Sequence, residues 1–288
     1  MFFFALSIIM YLVQNFGNKQ YTKHTGESST GVSLAQNAIC TFSAAVILAC
    51  FGKAKLMPPP IMLLALIFGA LYLTTVFLVV KAFSLGSMGG TTLLCNTGMF
   101  ISAIYGIIRF GDEFTLFIGI GVVLMFASIL LSMPKNDKNQ NSGIIWFTVA
   151  LGSGFSNGAV ASVKREAVAI FSQDSGIFLF WGFLFASAIA FALLILNKRN
   201  REDAFQVLGK KTPILYGICA GLGTAGGNLF QMLALDTVSS AIIYPLTAGF
   251  LVVSLELVSL LVYKETTLKL KNIFAVICCV SAIIIINI

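Results

Sequence analysis

Charged side chains are scarce in this chain: Asp, Glu, Lys and Arg make up 10% of its 288 residues. Soluble domains typically contain about 25% charged residues, whereas this sequence is 58% hydrophobic and has a mean hydropathy of +0.96. The composition therefore excludes a soluble globular protein. Membrane β-barrels alternate apolar and polar positions, but the apolar runs here are continuous. We predict an all-α integral membrane protein.

Residues on which many enzyme active sites depend are also few. The single histidine, His24, excludes an imidazole metal cluster and the H-E-x-x-H motif. Six cysteines lie in apolar stretches and form no C-x-x-C pair, which predicts buried free thiols. The motif G-x-x-x-x-G-K-S/T is absent, so no P-loop binds ATP. We predict no enzymatic activity, no metal and no cofactor.

Ten apolar runs are each expected to cross a membrane, because a spanning helix needs about 20 apolar residues. The runs are 1–16, 34–51, 60–82, 89–108, 115–133, 143–162, 176–196, 213–235, 239–263 and 268–288. The first run is short for a crossing unless its helix continues through Gln14, Asn15 and Asn18. Those side chains are tolerated only where they face protein or water.

An internal repeat relates the two halves of the chain. A shift of 152 residues places Glu113 and Thr115 on Glu265 and Thr267, at the junction between the fourth and fifth span of each half. The same shift superposes Gly69 on Gly221, Ala82 on Ala234 and Ser87 on Ser239. Because five spans per half is an odd number, the second half enters the membrane from the opposite side, as in many transporter folds. We predict two inverted five-helix repeats, at 1–133 and 143–288, joined by a linker at 134–142.

These residues resemble the drug/metabolite transporter superfamily, and within it the ten-span EamA-like proteins. The resemblance covers most of the chain and depends on small residues and on the acid-threonine junction. Its residues are Ala82, Glu113, Thr115, Ala234, Leu235, Ala241, Pro245, Glu265, Thr266 and Thr267. It implies secondary transport of a small polar or amphipathic metabolite across the cytoplasmic membrane, by alternating access of two five-helix repeats.

Several points of function and assembly follow as expectations. Transport is coupled to protons or proceeds by exchange, and a passive channel or a lipid-flipping scaffold is the alternative. An intramembrane enzyme would need a nucleophile–base pair or a metal constellation, and the sequence offers neither. The expected partners are a small-molecule substrate and membrane lipids, with the chain as a monomer or a homodimer.

The basic residues indicate orientation. They occur singly or in pairs between apolar runs, which is typical of topology signals and argues against nucleic-acid binding. Thirteen of the 18 lie in loops that follow odd-numbered spans. The positive-inside rule therefore places both termini outside the cell, whereas the family resemblance implies both termini inside. We adopt the orientation that the charge count predicts, with both termini outside.

Among the ionisable residues, Glu256 is the strongest candidate for a functional role. It lies nine residues before Glu265, which is roughly 13 Å along a helix and places it near the middle of a hydrocarbon core about 30 Å thick. Carboxylates at that depth usually face a cavity and mark a transport pathway. We predict that Glu256 carries the coupling proton or binds the substrate; the alternative is a neutral, structurally hydrogen-bonded carboxyl.

A second set of candidates comprises amides and a phenol inside the predicted spans. They are Asn15, Asn96, Asn157, Asn228, Gln231 and Tyr244. Each needs hydrogen-bond partners away from lipid, and together they could line a substrate cavity; hydrogen bonding between helices is the alternative. Asn228 and Gln231 share one helix face at i, i+3 spacing. With Glu256 and Tyr244 they form the predicted substrate patch.

Two further groups receive structural interpretations. Five glycines in the eighth span have small-x-x-x-small spacing, which predicts close helix packing. They are Gly217, Gly221, Gly223, Gly226 and Gly227. Lys164, Arg165 and Glu166 follow the sixth apolar run. We expect them to be solvated anchors at the membrane interface; ion pairs that line the mouth of a pathway are the alternative.

Overall fold

The computed structural model describes most of the chain as helix. It describes residues 2–26, 29–86, 91, 94–95, 97–111, 115–132, 140–171, 174–236, 240–258 and 270–286. The helices in this part are α1 (Phe2–Thr25), α2 (Thr30–Cys50), α3 (Pro59–Leu85), α4 (Gly98–Phe110), α5 (Leu116–Ser132), α6 (Gln140–Phe171), α7 (Ser175–Leu196), α8 (Lys198–Leu208), α9 (Lys211–Leu235), α10 (Ser240–Val258) and α11 (Leu270–Ile286). These ranges contain no strand.

Several helices begin at residues that cap free backbone N–H groups. The Ser29 hydroxyl accepts from the N–H of Val32 at the start of α2. The Asp174 carboxylate accepts from the N–H of Gly176 at 2.9 Å at the start of α7. Such caps satisfy donors that have no partner within the helix. At the other end of a helix, Gly111 stops α4 with a left-handed φ of 69°, a conformation that favours glycine.

Five helices are long and apolar enough to cross a membrane, judged by length and composition within the described ranges. They are Thr30–Cys50, Pro59–Leu85, Gly143–Ala169, Ser175–Leu196 and Lys211–Leu235. The predicted all-α class with membrane-spanning helices is confirmed at this level. Each of the five overlaps a predicted span, because a run of about 20 apolar residues matches the hydrocarbon thickness.

Two helices extend beyond their predicted ends. The first does not stop near residue 16; α1 continues to Thr25, with Asn18 and Lys19 buried. The sixth predicted run ends at 162, but α6 continues to Phe171. Polar residues ended both predicted spans, whereas in the structure those residues are covered by neighbouring helices, where intramembrane polar groups are tolerated.

The chain forms two compact units, and each takes helices from both halves of the sequence. Unit 1 comprises Met1–Ser84 and Val163–Thr237, and unit 2 comprises Leu85–Ser162 and Val238–Ile288. Helix α6 therefore begins in unit 2 and ends in unit 1. Because compactness and repetition are different properties, these units do not test the predicted division at 134–142.

Unit 1 is held together by helices that approach closely at glycine. Helix α1 packs along α9, and α2 packs against α7, α8 and α9. A Cβ on Gly17 would lie 2.8 Å from the backbone N of Ala220, and one on Gly227 would lie 2.7 Å from the ring of Tyr11. Both distances are closer than real Cβ contacts. The prediction that the glycines of α9 allow close helix packing is confirmed.

Aromatic and small side chains fill the remaining core of unit 1. The ring of Phe68 on α3 lies 5.4 Å from Phe178 and 5.7 Å from Phe183 on α7, both edge-on. That geometry is favourable for aromatic pairs. Leu34 and Ala38 of α2 pack with alanines of α7 and α8.

Unit 2 uses similar contacts. Helix α5 packs on α11, where the Ser128 hydroxyl donates to the carbonyl of Ala275 at 2.7 Å. Helix α10 packs against α4 and α11. A Cβ on Gly158 of α6 would lie 2.5 Å from the carbonyl oxygen of Gly98 on α4. Only a residue without a side chain permits such a close approach of two backbones.

Candidate functional site

A line of buried and half-buried polar side chains runs through unit 1. We call it the polar line; its members are Tyr11, Gln14 and Asn18 of α1, Gln36 and Cys40 of α2, Tyr72 of α3, Lys164 of α6, and Thr224, Asn228 and Gln231 of α9. The three members on α1 are spaced i, i+3 and i+7, which places them on one face of the helix. From Tyr11 to Asn18 the line extends roughly 10 Å along α1.

Lys164 lies at one end of the polar line. Its ammonium donates to Asn228 Oδ1 at 3.1 Å and also to Gln231 Oε1. The Tyr11 hydroxyl donates to the same Gln231 oxygen at 2.8 Å. Lys164, Asn228 and Gln231 are between 2% and 4% exposed. An ammonium, two amides and a phenol from three helices therefore converge in the interior of unit 1.

Thr224 is at the centre of the line. The Tyr72 hydroxyl donates to Thr224 Oγ1 at 3.2 Å and accepts from Gln14 Nε2 at 2.8 Å. The Cys40 thiol lies 3.3 Å from the same Thr224 oxygen. Asn228 Nδ2 donates to the carbonyl of Thr224 at 2.9 Å, which joins the centre to the Lys164 end. These bonds hold side chains of α1, α2, α3 and α9 in fixed orientations.

The far end of the line contains acceptors without donors. Gln36 Nε2 donates to Asn18 Oδ1 at 2.7 Å, but Gln36 Oε1 is buried without a hydrogen-bond partner. The neighbouring Asn37 Oδ1 is equally buried and unpaired, while its Nδ2 donates to the carbonyl of Ser33. Leaving such an acceptor buried and unpaired costs about 1–3 kcal/mol.

Glycine brings the polar line together. Gly223 and Gly226 of α9 face Gln14 and Met10 of α1, and a Cβ on Gly223 would lie 2.8 Å from Gln14 Cα. Because the two backbones are this close, the side chains of Gln14 and Thr224 both reach the Tyr72 hydroxyl. Bulkier residues would separate the helices and break the line.

An opening lies near the Lys164 end. A cavity of about 490 Å³ is lined by Lys53, Val168, Asp174, Ser175, Leu229, Leu233 and Asp236. Val168 is one helical turn beyond Lys164 on α6, and Leu229 and Leu233 flank Gln231 on α9. The cavity therefore approaches the polar line along α6, at Val168, whereas Leu229 and Leu233 lie on a different face of α9 from Gln231.

The charged lining of this cavity is partly neutralised. Lys53 Nζ lies 2.7 Å from Asp174 Oδ2. Partial burial raises the pKa of Asp174, but hydrogen bonds from Lys53 and from the N–H of Gly176 outweigh burial and hold that pKa below its ordinary value. Burial raises the pKa of Asp236. The opening thus contains one ion pair and one further carboxyl.

The structure places the predicted substrate residues in both units. Asn228 and Gln231 meet at Lys164, whereas Asn15 donates to the carbonyl of Tyr11 within its own helix at 2.8 Å. In unit 2, the Tyr244 hydroxyl donates to the carbonyl of Ala161 at 2.8 Å, and Asn157 is half-buried on α6.

The remaining two predicted residues cannot be placed in full. Asn96 lies outside the described residues, and Glu256 lies on α10 with its side chain outside the described part. The prediction that Glu256 couples transport therefore stays a prediction.

The expectation that Lys164 is a solvated anchor is wrong. Lys164 is 4% exposed because α6 continues past it and its ammonium points to α9. A signal for this was present in the sequence. Val160, Ala161 and Ala167 are spaced at helical intervals around Lys164 and are all buried, so the lysine lies on the apolar face of its helix.

Sequence comparisons do not place the chain in a family. No family model and no curated protein sequence matches it. Its fold has been seen before, since 28 solved chains match it. One of them, described only as the crystal structure of a protein, superposes with a TM-score of 0.70 at 11% identity, covering 98% of this chain and 96% of that chain. At this identity the likeness shows the fold alone.

Proposed function

We propose that the chain is a secondary transporter that moves a small polar or amphipathic metabolite across the cytoplasmic membrane. The polar line of unit 1 carries this proposal. Placing a charged side chain inside the hydrocarbon region costs about 2.5–3.5 kcal/mol on insertion scales, and residues that bear this cost usually mark a transport pathway. Lys164 lies within the candidate span Gly143–Ala169 and is joined by hydrogen bonds to further polar groups deep in the same unit.

The proposal includes ten spans in two inverted repeats of the EamA-like type. Tyr72 and Thr224 are 152 residues apart and hydrogen-bond to each other. Residues that are equivalent in two inverted repeats meet only close to the two-fold axis that relates the repeats. This contact therefore supports the repeat, and it would place the axis at the centre of the polar line.

Reciprocal packing around two glycines gives further support. Gly69 of α3 closes against α7, where its Cβ would lie 2.9 Å from the backbone N of Ala186. Its equivalent, Gly221 of α9, closes against α2 at Cys40 and Ser43. Helices α2 and α7 are the second spanning helices of their halves, and α3 and α9 are the third. Each third spanning helix therefore packs on the second spanning helix of the other half. A two-fold axis produces this exchange.

The boundaries of unit 1 follow the same shift. Its first segment ends at Ser84, whose equivalent is residue 236, and its second segment ends at Thr237. Each unit would then contain equivalent parts of both repeats. Alternating access in such a protein works by movement of packed helix groups around a central site, and contacts made through glycine allow helices to slide without breaking side-chain interdigitation.

Counterflow in proteoliposomes tests the proposed function. Vesicles containing the purified protein are preloaded with an unlabelled metabolite, and uptake of the labelled metabolite is measured across a panel of small polar compounds. A carrier accumulates label transiently above equilibrium, because its binding site carries unlabelled metabolite outwards and returns with labelled metabolite bound. A passive channel gives equilibration without overshoot, and a lipid-flipping scaffold gives dithionite-sensitive loss of labelled lipid without metabolite uptake. Either of these outcomes would replace the proposal.

A further inference from the structure

We propose that one end of unit 1 binds the anionic headgroups of the membrane leaflet that it faces. Five exposed basic side chains form this surface, which we call the basic end. Its members are Lys23 of α1, Arg199 and Arg201 of α8, and Lys210 and Lys211 at the start of α9. The inference is independent of the proposed transport activity, because it concerns the surface of unit 1 and not the polar line.

Helix α8 lies where a membrane surface is expected. It joins α7 to α9, and both of those helices are long and apolar enough to cross a membrane. With 11 residues, α8 is roughly 17 Å long and too short to cross. The end of α1 is adjacent, since Tyr21 shares a buried cluster with Val207 of α8, and His24 stacks on Tyr216 of α9 at 5.3 Å. The basic side chains of three helices therefore lie at one end of unit 1.

Helix α8 has one face in the protein and another that carries exposed apolar side chains. Ala204 and Val207 are buried. Arg201, Phe205 and Leu208 are spaced i, i+4 and i+7, which places them together on a different face. Phe205 is 65% exposed and Leu208 is 36% exposed. A helix that presents phenylalanine and leucine beside arginine is typical of segments that lie in the membrane interface.

The charge of this end favours an anionic partner. The described residues here include two carboxyls, Glu202 and Asp203. Glu202 lies 3.8 Å from Lys198 on the same helix, so these two charges offset each other. Asp203 is half-buried. The five exposed cations of the basic end are therefore in excess, and each basic residue close to an anionic leaflet adds to the attraction.

The opposite end of unit 1 has no such excess in its described residues. There the link from α2 to α3 carries Lys53 and Lys55, while the start of α7 and the end of α9 carry Asp174 and Asp236. Lys53 Nζ lies 2.7 Å from Asp174 Oδ2. An anionic surface is therefore attracted to one end of the unit more than to the other. Lys55 offers a matched control, because it is exposed like the residues of the basic end.

Thermal unfolding of the purified protein in detergent with added lipid tests this inference. The probes are phosphatidylglycerol, phosphatidylcholine with the same acyl chains, and the water-soluble headgroup glycerol phosphate, each over a range of concentrations. The variants are Arg201→Gln, the double variant Arg199→Gln with Arg201→Gln, and the control Lys55→Gln. Unfolding without lipid establishes that each variant is folded. Measurements at about 0.1 M and about 1 M salt change the screening length from about 10 Å to about 3 Å.

We expect phosphatidylglycerol to raise the Tm of the wild type more than phosphatidylcholine does, and the difference to shrink at high salt. Each basic residue lost near an anionic surface weakens binding about 5-fold. Arg201→Gln should therefore need about 5-fold more phosphatidylglycerol for the same Tm shift, and the double variant about 10- to 30-fold more. Lys55→Gln should behave as the wild type. Glycerol phosphate should have little effect, because it offers no membrane surface to Phe205 and Leu208.

Other results would overturn the inference. These are equal Tm shifts with the two phospholipids, an unchanged phosphatidylglycerol effect in the folded double variant, or equal losses in Arg201→Gln and Lys55→Gln. An effect of glycerol phosphate as large as that of phosphatidylglycerol would replace the lipid surface with a binding site for a free phosphate.

Discussion

Among single residues, Glu256 offers a direct test of coupling. If it carries the coupling proton, Glu256→Gln keeps the shape and a hydrogen bond but removes titration. Net uptake driven by a pH gradient should then fall, while substrate exchange survives because exchange requires no net proton release. Both are measured in proteoliposomes, with and without an imposed gradient. Failure of both modes together would indicate that Glu256 binds the substrate by charge, and no change in either would make it structural.

The Lys53–Asp174 ion pair predicts that the stability of the fold depends slightly on pH. The folded pKa of Asp174 lies below its ordinary value, so the pair stabilises the fold above the unfolded carboxyl pKa of about 3.9 and loses that contribution as pH falls through the folded pKa. Because both side chains are partly exposed, the contribution is at most ~1 kcal/mol.

Asp174→Asn is the variant that isolates this charge. Asparagine still caps the first turn of α7, so only the ion pair is lost. We expect the variant to be slightly less stable than the wild type at pH 7 and equal to it in acid below the folded pKa, by thermal unfolding at several pH values. A difference that persists unchanged in acid would contradict this assignment.

At the scale of helices, the glycine contacts between α1 and α9 predict opposite effects of the same substitution. Gly223→Ala places a methyl group 2.8 Å from Gln14 Cα and should destabilise the protein by about 1–3 kcal/mol through overpacking. Gly143→Ala, on α6, meets nothing within 4 Å and should be neutral or stabilising by up to about 1 kcal/mol. Thermal unfolding of both variants checks this; equal effects would contradict the close approach of the two helices.

Some helices could be predicted from the sequence better than others, because their signals are local. Continuous apolar runs located α2, α3, α7 and α9, because length and hydropathy are local properties. The ends of α1 and α6 were misplaced because both helices carry polar residues that other helices cover. Whether Lys164 faces solvent or the amides of α9 depends on tertiary contacts, and the sequence contains only the indirect signal of its apolar helix face.

The candidate site was predictable in part for a related reason. Asn228 and Gln231 were found from their spacing on one helix, which is a local pattern. Their partners Lys164 and Tyr11 lie 64 or more residues away from them in the sequence. Pairings across such separations depend on which helices pack together, and that information is not present in any single run.

For the whole molecule, orientation in the membrane is testable at two ends of α2. Gly31 at the start of α2 packs against Asn200 of α8, whereas Lys53 beyond its end pairs with Asp174. The 21 residues of α2 span roughly 31 Å. Phe205 on α8 and Cys50 are both exposed, and they lie towards opposite ends of this helix.

The charge count predicts which end faces the cytoplasm. A cysteine introduced by Phe205→Cys, with Cys50 replaced by Ser, should react with a membrane-impermeant maleimide only after lysis. Native Cys50 should react in intact cells. The reverse pattern would place the termini inside, as the family resemblance implies, and labelling of both positions from one side would contradict a spanning α2.

The central claim is that the polar line of unit 1 is the path of a carrier, and counterflow by matched variants tests it most directly. Wild-type protein and a control variant, Lys198→Gln, should both show transient accumulation of label above equilibrium in preloaded proteoliposomes. Lys198 serves as the control because its side chain is 81% exposed on α8. Lys164→Gln, shown to be folded by thermal unfolding, should lose most of that accumulation, because the ammonium that holds Asn228 and Gln231 at one end of the polar line is removed. Counterflow in Lys164→Gln equal to that of the wild type would contradict the account.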